Sequence, residues 1–449
     1  MTIFIKMVSR ILMALALVGI MTMNLSAQDE PPPFVRESVR AVETMLFQEG
    51  DASIENFIVQ FMPGIKPAER SVWQTRIKNI RDQVGALRGD ISVEPSEKGF
   101  LMSLAANGVE RVVAVTLDIE KKQIIHIQLE PPLQPIILTN ENLMSVFEQL
   151  EKDGFAGLVY IKKKGTVLLR HTFGMGNEAL QTKNNEQTVF GIGSRPIDFT
   201  IAAIYLLDQQ GKLKLSDPVS KYFENVPEDK RTIRIDQLLT GQSGLPDFFH
   251  TEEDWDPDLQ WIGRDEAVQR IMNQQLLFVP GTDQEHSHAA FVLLAALVDK
   301  ISGMNYYDFI RKYFLDPAGM KRTGEYGETR GLSVTDFAAG GGPMIFGLPN
   351  IPPNWGKTSW LIKGSGGMYS TFGDLQQFYT YVRSGKVLDE EHGKIFKRNS
   401  MNLDGSDQGF ELFSSFNTNG DESWLFLNKL NNRRKFRVLV NALKKFAEE

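Results

Sequence analysis

The sequence predicts an α+β protein in two parts, on three observations. Two amphipathic helical stretches are followed by β-rich runs between about residues 34 and 130. A proline-rich segment, EPPLQP at 130–135, then interrupts the pattern as a semi-rigid linker does. Beyond it, strands at both ends of a long helix-rich stretch imply one antiparallel sheet shared by the first and last segments. The expected division is a leader at 1–27, a spacer at 28–33, a small α+β domain at 34–130, a linker at 131–139 and a large domain at 140–449.

The small domain is read from VRESVRAVETMLFQEG, a helix ending at Gly50, and from a second helix over KPAERSVWQTRIKNIRDQVG. Their apolar residues recur every three or four positions. GFLMSLAANGVERVVAVTLDIEKKQIIHIQLE then supplies three β-rich runs separated by an NG turn and a charged turn. Helices followed by a meander are the layout of a cystatin-like or nuclear-transport-factor-like domain, by analogy of fold. His126, between isoleucines on the last run, reads as a strand-face residue.

In the large domain FAGLVYIKKKGTVLLRHTFG is a hairpin turning near Lys164 and Gly165. A late strand, SWLFLNK, precedes a terminal helix whose Phe436, Leu439 and Leu443 form an apolar face. The glycine-rich runs at 340–342 and 364–367 are either cleft-lining or flexible loops.

Composition narrows the function. The 449 residues are 42% hydrophobic and 23% charged with 29 Phe, enough for a large core. A formal net charge of −7 gives no reason to expect nucleic acid or an anionic membrane as a partner. Lys6 and Arg10 precede the apolar run ILMALALVGIMTMNL, and LSAQDE offers a cleavage site after Ala27. That is the layout of a secretory signal peptide, so an exported protein, periplasmic or secreted, is expected, without stable membrane insertion after cleavage. With zero cysteines, the core must hold the chain unaided.

The stretch GIGSRPIDFT at 191–200 raises the question of chemistry. Ser194 follows a glycine turn and precedes an apolar helix with Pro196 in its first turn. Ser194 is therefore either a helix N-cap or a nucleophile.

The surrounding blocks carry a resemblance. TVFGIGSRPIDFTIAAIYLLDQQGKLKLSDPVSKYF resembles the β-lactamase-related serine hydrolases, which include class C β-lactamases, D-Ala-D-Ala carboxypeptidases and related esterases. TIRIDQLLTGQSGLPDF is similar to the LLTHTSGLP loop of that family, with Gly241 for histidine. The stretch from FVPGT to GMKRT, and then GSGGMYSTFGDLQQF, follow the family's later blocks in order. The similarity spans about 140–449 and implies a β-lactamase/transpeptidase-like fold for the large domain.

At the catalytic positions the resemblance implies losses. The lysine three residues after the serine is Ile197. The YxN motif reads HSH, with His286 at the tyrosine and His288 at the asparagine. The KTG strand motif reads LDG at Leu403, Asp404 and Gly405. A serine hydroxyl is a weak nucleophile without a proton acceptor, so the family's own mechanism is expected to be silent. What remains is a cleft, with His288, Gly405 and Ser406 toward the substrate and the N–H groups of Ser194 and Ser406 as anion donors.

Three functions stay open on the sequence. One is an impaired hydrolase whose cleft binds a small peptide or peptidoglycan-like fragment. The second is a working esterase or peptidase using a Ser194–His286 dyad, with His288 or Asp404 orienting the imidazole. The third is a structural interaction protein. No cofactor is expected. A metal at H-x-H would need a further ligand, for which His250 and Glu285 are the nearby candidates, and none is assigned.

Overall fold

The computed structural model describes residues 33–448 except 49, 88, 89, 97, 107, 108, 252, 253, 255–259, 342–346 and 407. The expected signal peptide and spacer lie outside the described residues. The chain divides into two compact units, between Gln134 and Pro135.

The first unit holds helices α1 (Pro33–Phe47), α2 (Asp51–Phe61) and α3 (Arg70–Val84) and strands β1 (Asp90–Ser96), β2 (Gly99–Ala106), β3 (Val109–Asp118) and β4 (Gln123–Leu129). The strands form an antiparallel meander in chain order. In α1 the buried residues Val35, Ser38, Val42, Met45 and Leu46 repeat at helical spacing. On β2, Phe100, Met102 and Leu104 alternate into the same core. A bulge opposite Thr116 and Leu117 shifts the register of β4, so Ile124 and Ile127 both reach that core although they are three apart. Sequence reading missed β1 and α2. The latter begins on Gly50 without a side-chain cap and is held by buried Ile54, Phe57 and Ile58 and by ion pairs of Asp51 with Lys78 and Arg81 of α3.

The second unit begins with α4 (Leu143–Lys152) and the hairpin of β5 (Ala156–Lys163) and β6 (Thr166–Phe173). Lys164 and Gly165 turn it, both at positive φ, as a two-residue hairpin turn requires. Helices α5 (Pro196–Gln209), α6 (His288–Ser302) and α7 (Phe372–Arg383) follow, then β7 (Ser400–Ser406), β8 (Phe410–Phe416), β9 (Glu422–Lys429) and α8 (Arg433–Glu448). The sheet order is β7-β8-β9-β5-β6, so the first and last strands meet as β5 beside β9.

Alternation along these strands separates two cores. Val159, Ile161, Phe413, Leu425 and Leu427 pack with Phe147 of α4 and with Phe436, Leu439 and Leu443 of α8. Leu158, Tyr160, Leu412, Trp424 and Phe426 face the opposite way, toward α5, α6 and α7. Both faces are covered, so β8 is buried along its whole length and β9 along all but its two end residues. Ala289 to Val298 of α6 are all buried, the pattern of a helix enclosed on every side. Among the described residues no single helix is long and apolar enough to cross a membrane.

Candidate active site

Ser194 sits on the turn between the short strand Phe190–Gly191 and α5. The turn presses edge-on against β7. A Cβ on Gly193, whose φ is +51°, would lie 2.5 Å from the Gly405 carbonyl oxygen and 2.7 Å from that of Asp404. Only glycine fits there. Arg195, not Ser194, is the N-cap residue of α5, and no side chain caps the helix. The Ser194 hydroxyl is engaged elsewhere.

Its partner is His288, with Oγ 3.1 Å from Nε2. This corrects the expected dyad, which paired Ser194 with His286, and it moves His288 from substrate binding to the base position. Nδ1 of His288 lies 2.7 Å from Oδ1 of Asp247. A carboxylate only accepts, so Nδ1 carries the ring proton and Nε2 presents its lone pair to the serine. Asp247, rather than Asp404, orients the imidazole. It comes from the GLPDF loop and was missed in the sequence, where His250 and Glu285 drew attention.

The local structure holds this series in place. Ser287 caps α6, accepting from the Ala290 N–H at 3.1 Å and donating to the Pro246 carbonyl at 2.8 Å. Asp247 Oδ1 also accepts the backbone N–H of His288 at 2.9 Å, and its carbonyl accepts from Ala289 at 2.9 Å. The loop and the helix start are thereby tied by four hydrogen bonds around one residue pair. The Phe248 ring stacks on His288 with centroids 4.7 Å apart and planes 13° apart, contributing about 1 kcal/mol to the ring orientation. His286 stands edge-on to His288, at 4.7 Å and 89°.

Burial would raise the Asp247 carboxyl, but the hydrogen bonds and charge of His288 outweigh it and hold Asp247 below its ordinary value. Burial and then the neighbouring His288 push His286 below the usual histidine range.

The strand motif is also rearranged. Leu403 pairs with Phe413, on the sheet face covered by α8, and is exposed. The expected replacement of the motif's cation by Leu403 is therefore corrected. The residue of β7 that reaches the nucleophile turn is Asp404, which forms an ion pair with buried Arg195. Arg195 also binds Asp198 at 3.0 Å, the Tyr379 hydroxyl at 2.9 Å and Ser414 Oγ at 2.7 Å. Burial would lower the Arg195 pKa, but Asp404, Tyr379 and Asp198 hold it above its ordinary value. Gly405 offers its carbonyl to the Gly193 contact, and Ser406 ends β7 opposite Phe410.

Ile197 packs against the central core beneath the turn, so no ammonium group stands three residues after the serine. Some glycines of the two runs are packing positions. A Cβ on Gly340 would lie 2.0 Å from the Gln408 carbonyl, and one on Gly364 2.7 Å from that of Phe291.

A serine on a strand-to-helix turn, set beside a helical core and an antiparallel five-stranded sheet, is the arrangement of a β-lactamase/transpeptidase-like serine hydrolase fold. The sequence model of the Beta-lactamase family matches residues 144–416, and the chain belongs to that family. Penicillin-binding protein 4* of Bacillus subtilis (strain 168) is 30% identical over 251 residues, covering 53% of this chain and 54% of that protein. The chain thus spans about half the length of that relative. Protein flp of Staphylococcus aureus (strain MW2) is 29% identical over 195 residues, or 41% of this chain and 39% of its own. Among solved structures, a penicillin binding protein from Bacillus halodurans superposes with a TM-score of 0.54 at 21% identity, over 67% of this chain and 99% of that one. A Beta-lactamase/D-alanine Carboxypeptidase from Yersinia pestis gives 0.52 at 18%, over 66% and 92%. These likenesses establish the fold.

Proposed function

We propose that the chain is an exported serine acyl hydrolase in which Ser194, His288 and Asp247 replace the family's lysine and tyrosine as the proton-handling set. The observation that carries this reading is the continuous hydrogen-bonded series, 3.1 Å from Ser194 Oγ to His288 Nε2 and 2.7 Å from His288 Nδ1 to Asp247 Oδ1. The absence of an amine at Ile197 closes the inherited route, and the series opens another.

In this reading His288 Nε2 takes the hydroxyl proton as Ser194 Oγ attacks an ester or amide carbonyl. Asp247 holds the tautomer and stabilises the imidazolium. The N–H groups of Ser194 and Ser406 receive the developing oxyanion. His288 then returns the proton to the leaving group, and a water molecule repeats the cycle on the acyl-serine. The names of the relatives favour a small peptide or peptidoglycan-like substrate.

The test is labelling by a fluorophosphonate, together with hydrolysis of an activated ester, in the presence of a chelator. Wild type labels, whereas Ser194→Ala does not and His288→Asn loses about 10³-fold or more in rate. A wild type that neither labels nor hydrolyses overturns the proposal and returns the cleft to a binding role.

A further inference from the structure

The relay does not account for His286. It lies two residues before the base and meets it edge-on, with the far side of Asp247 open to solvent. Among the described residues, one ligand atom from each of Asp247, His286 and His288 lies within 4.8 Å of the others. The Asp247 side chain is 42% exposed, and its Oδ1 serves His288 while Oδ2 makes no hydrogen bond among the described residues. Two imidazoles and a carboxylate are a zinc-type ligand set. In a tetrahedral site with bonds of about 2.0 Å the donor atoms stand about 3.3 Å apart. Closing the present spacing to that value takes a side-chain movement on the order of 1 Å, and the most exposed member, His286, is the free one.

We infer that Asp247, His286 and His288 form a site for a divalent transition ion of the zinc class, and that its occupation silences Ser194. The binding claim stands on the cluster itself, whereas the silencing claim rests on the hydrolase reading above. An ion on Nδ1 of His288 leaves the proton on Nε2, which then donates toward the serine and accepts nothing. An ion on Nε2 consumes the lone pair directly. Either way the base is lost, and the ion competes with Asp247 for its role as orienter. The protein would thus be active when zinc is scarce and quiescent when it is abundant.

Zinc binding is measured by competition with a chromophoric chelator, and cobalt binding by its visible spectrum, on the full chain without substrate. Wild type and Ser194→Ala are expected to bind one equivalent. His286→Asn is expected to bind at least tenfold more weakly, with an unchanged melting temperature in chelator showing that it is folded. A wild type that binds no ion, or a His286→Asn variant that binds as well as wild type, overturns the site. Ester hydrolysis is then compared in zinc and in chelator. Wild type is expected to fall at least tenfold in zinc, and His286→Asn to lose that sensitivity relative to its own rate in chelator. Equal or higher wild-type rates in zinc overturn the silencing. Binding of the ion by a protein inactive in both conditions overturns the hydrolase reading and the silencing with it, while the site stands.

Discussion

One oxygen of Asp247 accepts two hydrogen bonds from His288, from the ring Nδ1 at 2.7 Å and from the backbone N–H at 2.9 Å. The double grip sets both the position of the helix start and the plane of the ring. Asp247→Asn keeps an acceptor for the backbone but allows its amide to face the ring and reverse the tautomer. Its kcat for ester hydrolysis in chelator is expected to fall about 10³–10⁴-fold, with KM and melting temperature little changed. A loss under tenfold would mean that Asp247 does not orient the base.

Arg195 is buried between two carboxylates, Asp198 and Asp404. Removing the cation leaves those charges facing each other, so Arg195→Met is expected to cost about 3–5 kcal/mol in chemical denaturation. Arg195→Met with Asp404→Asn should recover part of that loss, because one of the orphaned charges is gone. A double variant no more stable than the single one would show that Asp404 and Arg195 are not coupled.

Restoring the family residue should not restore the family mechanism. Ile197 packs on the central core, and the base position is occupied by His288. Ile197→Lys is expected to lose about 1–3 kcal/mol of stability from placing an amine against apolar neighbours. Acylation by a penicillin, read by intact mass, should not increase. An increase would show that the inherited route survives apart from its lysine.

His392 is a structural histidine held between Asp389 and Asp208. Burial pulls its pKa down, but the hydrogen bonds its ring donates to Asp389 at 2.8 Å and to Asp208 at 3.2 Å outweigh it and leave it raised above 6.5. A raised folded pKa contributes stability that is complete below the unfolded value, about 6.5, and is lost as pH rises through the folded value. His392→Asn is therefore expected to be less stable than wild type by about 1 kcal/mol near pH 5.5. The two should converge well above pH 7. A gap that widens with pH would contradict the assignment.

The sequence by itself determined the order of blocks, the sheet shared by the two ends of the large domain, the terminal helix face at Phe436, Leu439 and Leu443, and the apolar residue at 197. These follow from local periodicity and from residue identity, which a linear reading holds in full. Short elements resisted it. Helix α2 has no cap signal and depends on tertiary partners, three buried side chains and the ion pairs of Asp51 with α3. Which of two histidines two positions apart would face Ser194 was decided only in three dimensions, by the approach of the Asp247 loop to the start of α6. The same holds for Arg195, which beside Ser194 reads as an ordinary charge until β7, some two hundred residues later, brings Asp404 to it. Direction is the physical reason. Spacing along a chain fixes which residues are present, but the aim of a side chain at a turn or helix end is set by the partners that fold against it.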